Sequence, residues 1–138
     1  MASTCESLTI DEIVFINRRM CETSGGLHDG GNNFSNQSSL DYILNVIHES
    51  YFGEEIYPTI ADKAAAVGSR IITGHVFRDA NKRVGLEVCR QILELNGYFL
   101  PIDREAQDVI LRLANGEDDE MDDTAFAGWV SQRATQIL

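Results

Sequence analysis

Apolar residues recur at intervals of three and four along most of the chain, which predicts helices joined by short connections. In the first such stretch, Ile13, Ile16 and Met20 share a face. Thr9 is its expected N-cap with Glu12 as capping-box partner, Leu8 and Ile13 are spaced for a hydrophobic staple, and Gly25-Gly26 ends it. The following "GGLHDGGNNFSNQSS" has four glycines, three asparagines and no period, and reads as the longest loop. Ser38 with Asp41 starts a second helix carrying Leu40, Leu44, Ile47 and Tyr51, stopped by Gly53. "GEEIYP" is too short for a helix and contains Pro58, so an extended or hairpin segment is expected there. Thr59 and Asp62 restart a helix in which Ile60, Ala64, Val67 and Ile71 share a face. Its alanines at 64 to 66 would admit a neighbouring backbone, as in a central packed helix. Val84, Val88, Ile92 and Leu95 define the next helix, closed by Asn96-Gly97. Asp103 caps another with Val109, Ile110 and Leu113 inward, and Asp123 caps the last with Phe126, Val130 and Ile137 inward. An all-helical chain with one short extended element is the resulting expectation.

Composition narrows this picture. A chain of 138 residues, 43% hydrophobic, suits a single domain over 1–138. Its formal net charge of -11 argues against direct nucleic-acid binding, which needs an excess of exposed Lys and Arg. Cys5, Cys21 and Cys89 are odd in number, far apart and without a C-x-x-C pair, as expected of reduced thiols. No run of 18 apolar residues and no basic leader occurs, so no membrane association and a cytoplasmic location are expected. The acidic run "EDDEMDD" lacks the glycine and spacing of a calcium loop and reads as a solvated helix start.

Against this acidic background, "HVFRDANKR" at 75–83 gathers Arg78, Lys82 and Arg83 beside a histidine and an aspartate. Ala80 to Lys82 would form the first turn of the helix containing Val84, where unpaired backbone N–H groups and a positive partial charge make an anion site. Phosphate groups are the natural occupants. Asp79 is placed to hold a divalent metal bridging them, and His75 to take a proton from an incoming hydroxyl. Phe77, alternating with His75, would point into the core. Plainer readings exist for each residue: Asp79 as a helix cap, His75 as an ordinary core or surface histidine, Lys82 and Arg83 as a solvated pair.

The stretch resembles the signature of the Doc (death-on-curing) toxin branch of the Fic/Doc superfamily, H-x-F-x-D/E-A/G-N-K-R. The resemblance extends over about residues 8–133, through "GGLHDG", "SLDYIL", "GEEIYPTIADKAAA" and "EAQDVILRLANGE...FAGWV". It implies an all-α Fic/Doc-type bundle with a short flap from about Gly53 to Thr59, in which Glu54, Glu55, Ile56 and Tyr57 hold the target segment. It also implies His75 as general base, Asp79 as Mg2+ ligand, Ala80, Asn81, Lys82 and Arg83 at the phosphates of ATP, and Phe77 as anchor of the loop. AMP-transferring members resemble H-P-F-x-D/E-G-N-G-R-x-x-R, whereas this chain has Ala80, Lys82 and Leu86 at the two glycine positions and the second arginine. The Doc branch implies instead transfer of the terminal phosphoryl group of ATP to a protein hydroxyl, with translation elongation factor Tu as the implied target.

The upstream loop of the family often carries an Arg-Asp or Arg-Asn pair; here Ser35 and Asn36 stand at those places. The inhibitory pattern S/T-x-x-x-E-G/N fails at its nearest candidate, Ser50 to Glu54, because Glu55 follows. Restraint would then come from a separate Phd-like antitoxin. Two other readings stand beside the kinase-like toxin: a nucleotidyl (AMP) transferase, and a non-catalytic partner with the same fold.

Overall fold

The computed structural model describes residues 5–117 and 120–137. Six helices occur among them: α1 (Ile10–Ser24), α2 (Gln37–Val46), α3 (Ile60–Thr73), α4 (Asn81–Leu95), α5 (Arg104–Asn115) and α6 (Asp123–Arg133). Four two-residue strands pair antiparallel. β1 (Ser50–Tyr51) and β2 (Glu54–Glu55) form a hairpin with Tyr51 opposite Glu54. β3 (Tyr98–Phe99) and β4 (Thr135–Gln136) tie the end of the chain to the segment after α4. The expected helical bundle with a short hairpin is therefore the observed architecture.

α3 is the central element, packed against α2, α4, α5 and α6. Its start is fixed by the expected capping box, in which the Thr59 hydroxyl accepts from the Asp62 N–H and the Asp62 carboxylate accepts from the Thr59 N–H. Thr9 and Glu12 do the same for α1. Ile13, Leu40, Val67, Ile71, Val84, Ile92, Ile110 and Phe126 contribute to one continuous buried cluster.

α3 and α4 approach closely at two glycines. A Cβ on Gly85 of α4 would stand 2.6 Å from the Gly68 carbonyl oxygen and 2.5 Å from Ile72 Cγ1. One on Gly68 would be 2.8 Å from the Gly85 carbonyl oxygen. Only glycine at both places lets the helix that carries the motif lie this close to α3.

Local departures from the sequence reading have physical causes. α2 begins at Gln37, with Asn36 as N-cap, so Ser38 and Asp41 lie inside it. It ends at Val46, and Tyr51 is on the hairpin, where it is exposed. Phe52 and Gly53, both with positive φ (52° and 83°), make the two-residue turn that reverses the chain. Asp122, not Asp123, caps α6 by accepting from the Ala125 N–H. Asp123 accepts instead from the Ser69 hydroxyl on α3. Ile137 is exposed beyond β4, where its N–H is held by the Gly97 carbonyl. Residues 118 and 119 of the acidic run lie outside the described residues.

Two features fix the hairpin. The Ile56 N–H donates to the Glu49 carbonyl across its base. Lys63 of α3 is buried, and its ammonium pairs with Glu55 at 3.0 Å and donates to the Tyr57 carbonyl. Glu55 ends β2, and Tyr57 lies in the connection from β2 to α3.

Candidate functional site

The motif occupies the turn between α3 and α4. α3 stops at Gly74, and His75 follows with φ 50°, an unfavourable region for a residue with a Cβ. This left-handed step breaks the expected alternation: His75 is exposed, while Val76 and Phe77 are both buried. Phe77 packs inward as expected, stacked on Phe34 with ring centroids 5.1 Å apart.

Asn81, the first residue of α4, turns its side chain back on the loop. Its Oδ1 accepts from the Phe77 N–H at 2.9 Å and its Nδ2 donates to the Phe77 carbonyl at 2.8 Å. Both ends of the amide are thereby committed to loop geometry. Ala80, at N-cap, has φ 68°, and no side chain caps the helix. The start of α4 thus keeps the orphan N–H groups of a helix N-terminus without the side-chain acceptor that helices usually supply.

Asp79 is therefore not the cap. One of its oxygens accepts from the Ala80 N–H at 2.8 Å and the other from the Leu27 N–H at 2.9 Å. These two backbone donors, with Arg83 and Lys82 nearby, hold its carboxyl below the usual aspartate range against a partial cost of burial. An ionised carboxylate with one hydrogen bond on each oxygen keeps lone pairs for a further ligand. Among the described residues no group of three or more His, Cys, Asp or Glu gathers. Mg2+ does not need one: a single carboxylate with substrate phosphates and water is an ordinary set for it. The residues present fit such an ion.

The three cations of the motif have separate fates. Arg78 is mostly exposed and pairs with Asp29 at 3.3 Å. Arg83 reaches across to α1, donating to the carbonyls of Met20 and Gly25 at 3.4 and 3.1 Å. It acts there as the C-terminal cation that the last turn of α1 itself lacks. Lys82 stays exposed. It stands at the edge of a cleft of 420 Å³ whose walls include Met20, Leu86, Ile102, Ile110 and Leu111.

The loop from Gly25 to Asn36 contributes more than its irregular sequence suggests. Ser35 and Asn36 donate their N–H groups to the Val76 carbonyl at 2.8 and 3.0 Å, and the Arg78 N–H donates to the Asn33 carbonyl at 3.0 Å. With the antiparallel bridge between Phe34 and Phe77, this segment forms one wall of the motif. The hairpin residues Glu54, Glu55, Ile56 and Tyr57 are not brought to the motif in this way. Ile56 and Tyr57 line instead a groove along α3 that reaches Ser69 and Arg70.

Residues 7–93 match the Fic/DOC family. The chain belongs to that family. None of the curated proteins compared with it matches. The Fic/DOC match takes in α1, the loop, the hairpin, α3 and most of α4; α5 and α6 lie beyond it. No helix among the described residues is long and apolar enough to cross a membrane.

Sequence reasoning passed over Asn17, Asn33 and Lys63. Each is fully buried although polar or charged. Asn17 and Lys63 could have been flagged by spacing, because Asn17 falls between Ile13 and Cys21 at intervals of four and Lys63 lies between Ile60 and Val67 on the packed face of α3. A polar side chain at an inward position has to be bonded there.

Proposed function

We propose that this chain, acting as a single Fic/Doc-like unit, transfers the terminal phosphoryl group of ATP to a hydroxyl of a protein. By family likeness the protein is translation elongation factor Tu, and the outcome is inhibited translation. The observation that carries the reading is the uncapped start of α4, bordered by the ionised Asp79 and the exposed Lys82. Enzymes of this family generally use ATP with Mg2+. Asp79 would hold the ion, which supplies neutralisation of phosphate charge. The backbone of Ala80, Asn81, Lys82 and Arg83 would face the phosphates, with Lys82 adding its ammonium. Arg83 contributes charge from behind, its donors being engaged with α1.

Leu86 favours phosphoryl over AMP transfer. It is buried and lines the cleft beside Lys82 with an apolar side chain where AMP-transferring members have a second arginine. The cleft's cations, Lys82 and Arg83, both come from the first turn of α4, and beyond them a nucleoside has 420 Å³ of largely apolar space, within the range of ligand pockets. The chain thus favours the terminal phosphate at Asp79 and the nucleoside away from it. His75, exposed on its strained step, would take the proton of the incoming hydroxyl as the oxygen bonds to the terminal phosphorus. The bond from that phosphorus to the bridging oxygen breaks, and ADP leaves. A positioned base of this kind contributes about 10² to 10⁴-fold.

The protein would work in the cytoplasm and be restrained by a Phd-like antitoxin. By family likeness the hairpin residues Glu54, Glu55, Ile56 and Tyr57 would hold the target segment. The test is to incubate the protein and a His75→Ala variant with ATP, Mg2+ and purified elongation factor Tu or a bacterial lysate, and to weigh the products. A His75-dependent gain of one phosphoryl group is expected. A gain of one AMP would replace this reading with nucleotidyl transfer, and no gain on any protein would favour a binding role.

A further inference from the structure

Asn17 and Asn33 take no part in the chemistry just described, yet both are 0% exposed. Asn17 Nδ2 donates to the Asp79 carbonyl at 2.9 Å, and its Oδ1 accepts from Asn33 Nδ2 at 3.0 Å. Asn33 Nδ2 donates also to the Leu27 carbonyl at 3.0 Å, while its Oδ1 accepts from the Asp29 N–H at 3.1 Å. Leu27 in turn donates its N–H to the Asp79 carboxylate. The bonds close a ring: Asp79 carbonyl, Asn17, Asn33, Leu27, Asp79 carboxylate. Both ends of one residue are held by it.

Packing does not account for these side chains. A buried amide carries a cost that only its hydrogen bonds offset. At Asn33 the backbone adds a second cost. Its φ of 63° disfavours most residues with a Cβ, asparagine less than others, and glycine adopts it without strain. Every polar atom of the Asn33 side chain is bonded within the ring or to the loop it closes. Gly26 completes the enclosure, since a Cβ on it would stand 3.3 Å from Asp79 Oδ2.

We propose that Asn17 and Asn33 are positioning residues that set the Asp79 carboxylate for its metal, an inference resting on the reading of this site as one for Mg2+ and ATP. Groups that orient a metal ligand change metal affinity by about 10- to 100-fold when removed, without touching the metal.

The test is calorimetric titration of ATP into the full chain, once with EDTA and once with Mg2+. The variants are Asn33→Gly, which the φ at this position accommodates, and Asn17→Leu. Wild-type protein should bind ATP more tightly with Mg2+. In each variant that gain should shrink by about tenfold, while affinity in EDTA stays within about twofold of wild type. The double variant should lose no more than either single one, because a ring broken once is open. A Mg2+ gain that survives in Asn33→Gly overturns the proposal, as do losses in EDTA that parallel those in Mg2+, or losses that add. If Asn17→Leu does not fold, Asn33→Gly decides alone. Wild-type protein that binds ATP in neither buffer removes the ATP reading itself, and this inference with it.

Discussion

Replacing Lys63 by Met tests whether one ammonium fastens the hairpin to α3. Met keeps most of the apolar stem, so the change isolates the charge and its hydrogen bonds. Lys63 is 1% exposed and Glu55 19% exposed. Removing one partner of a buried pair costs about 3–5 kcal/mol, because the other is left buried with its charge. Water reaches part of Glu55, which places the expected loss near the lower end, about 3 kcal/mol. With a urea m-value of about 2 kcal/mol/M, the midpoint should fall by about 1.5 M. The loss is a large share of the roughly 7–20 kcal/mol available to a chain of this length. Unfolding would be followed by Trp129 fluorescence and by circular dichroism. Hydrogen exchange at the Ile56 amide, which closes the hairpin base, should accelerate more than exchange in the middle of α3. Lys63→Met with Glu55→Leu should recover to within about 1 kcal/mol of wild type, since an apolar pair of similar volume is often no less stable than the ion pair. A single variant that loses under about 1 kcal/mol, or a double variant no better than the single, would refute the reasoning.

Other expected outcomes follow from particular contacts. Gly85→Ala drives a methyl to 2.6 Å from the Gly68 carbonyl oxygen and should destabilise by about 2–3 kcal/mol; an unchanged urea midpoint would contradict the close helix crossing. Asp79 has its carboxyl held below the ordinary value of 3.8, so its stabilisation is present above the unfolded-state value and is lost as pH falls through the lower folded value. Asp79→Asn should therefore be less stable at pH 7 and show a shallower fall in urea midpoint below about pH 4; equal slopes for the two proteins would count against the bonds from Leu27 and Ala80. Burial pushes the Cys89 thiol up to about 12, while Cys5 is only half-buried. A thiol reagent at pH 8 should thus label Cys5 first and Cys89 only on unfolding, and early labelling at Cys89 would show that the α4 face opens.

Much of the bundle was legible because it rests on signals that repeat: apolar residues at three- and four-residue intervals, and the Thr9/Glu12 and Thr59/Asp62 boxes. The motif was legible because its residue types are unusual in so acidic a chain. The wall beside it was not. Ser35, Asn36 and Asn33 meet the motif through backbone N–H and carbonyl groups, which every residue carries and which leave no mark on side-chain pattern. The hairpin was foreseen as a short extended piece but extends to Ser50 and Tyr51, because a two-residue turn at Phe52-Gly53 overrides the helical spacing of Ile47 and Tyr51. The place of Asn81 in the motif gives no sign that its side-chain amide bonds Phe77, which leaves its backbone N–H for a phosphate.

The bonds that join α1 and its loop to the motif link residues far apart in the chain: 62 positions from Asn17 to Asp79, 52 from Leu27 to Asp79, and 58 from Gly25 to Arg83. At about 5–20 residues per second, a ribosome takes roughly 3–12 s to make the chain between Asn17 and Asp79. Closing so long a loop then costs about 3.6 kcal/mol in chain entropy before any bond repays it. A nascent chain therefore has α1 and its loop for seconds before it has a site. The same arrangement makes the site depend on residues outside it: a chain lacking α1 and its loop would lose these bonds with every residue of the motif intact.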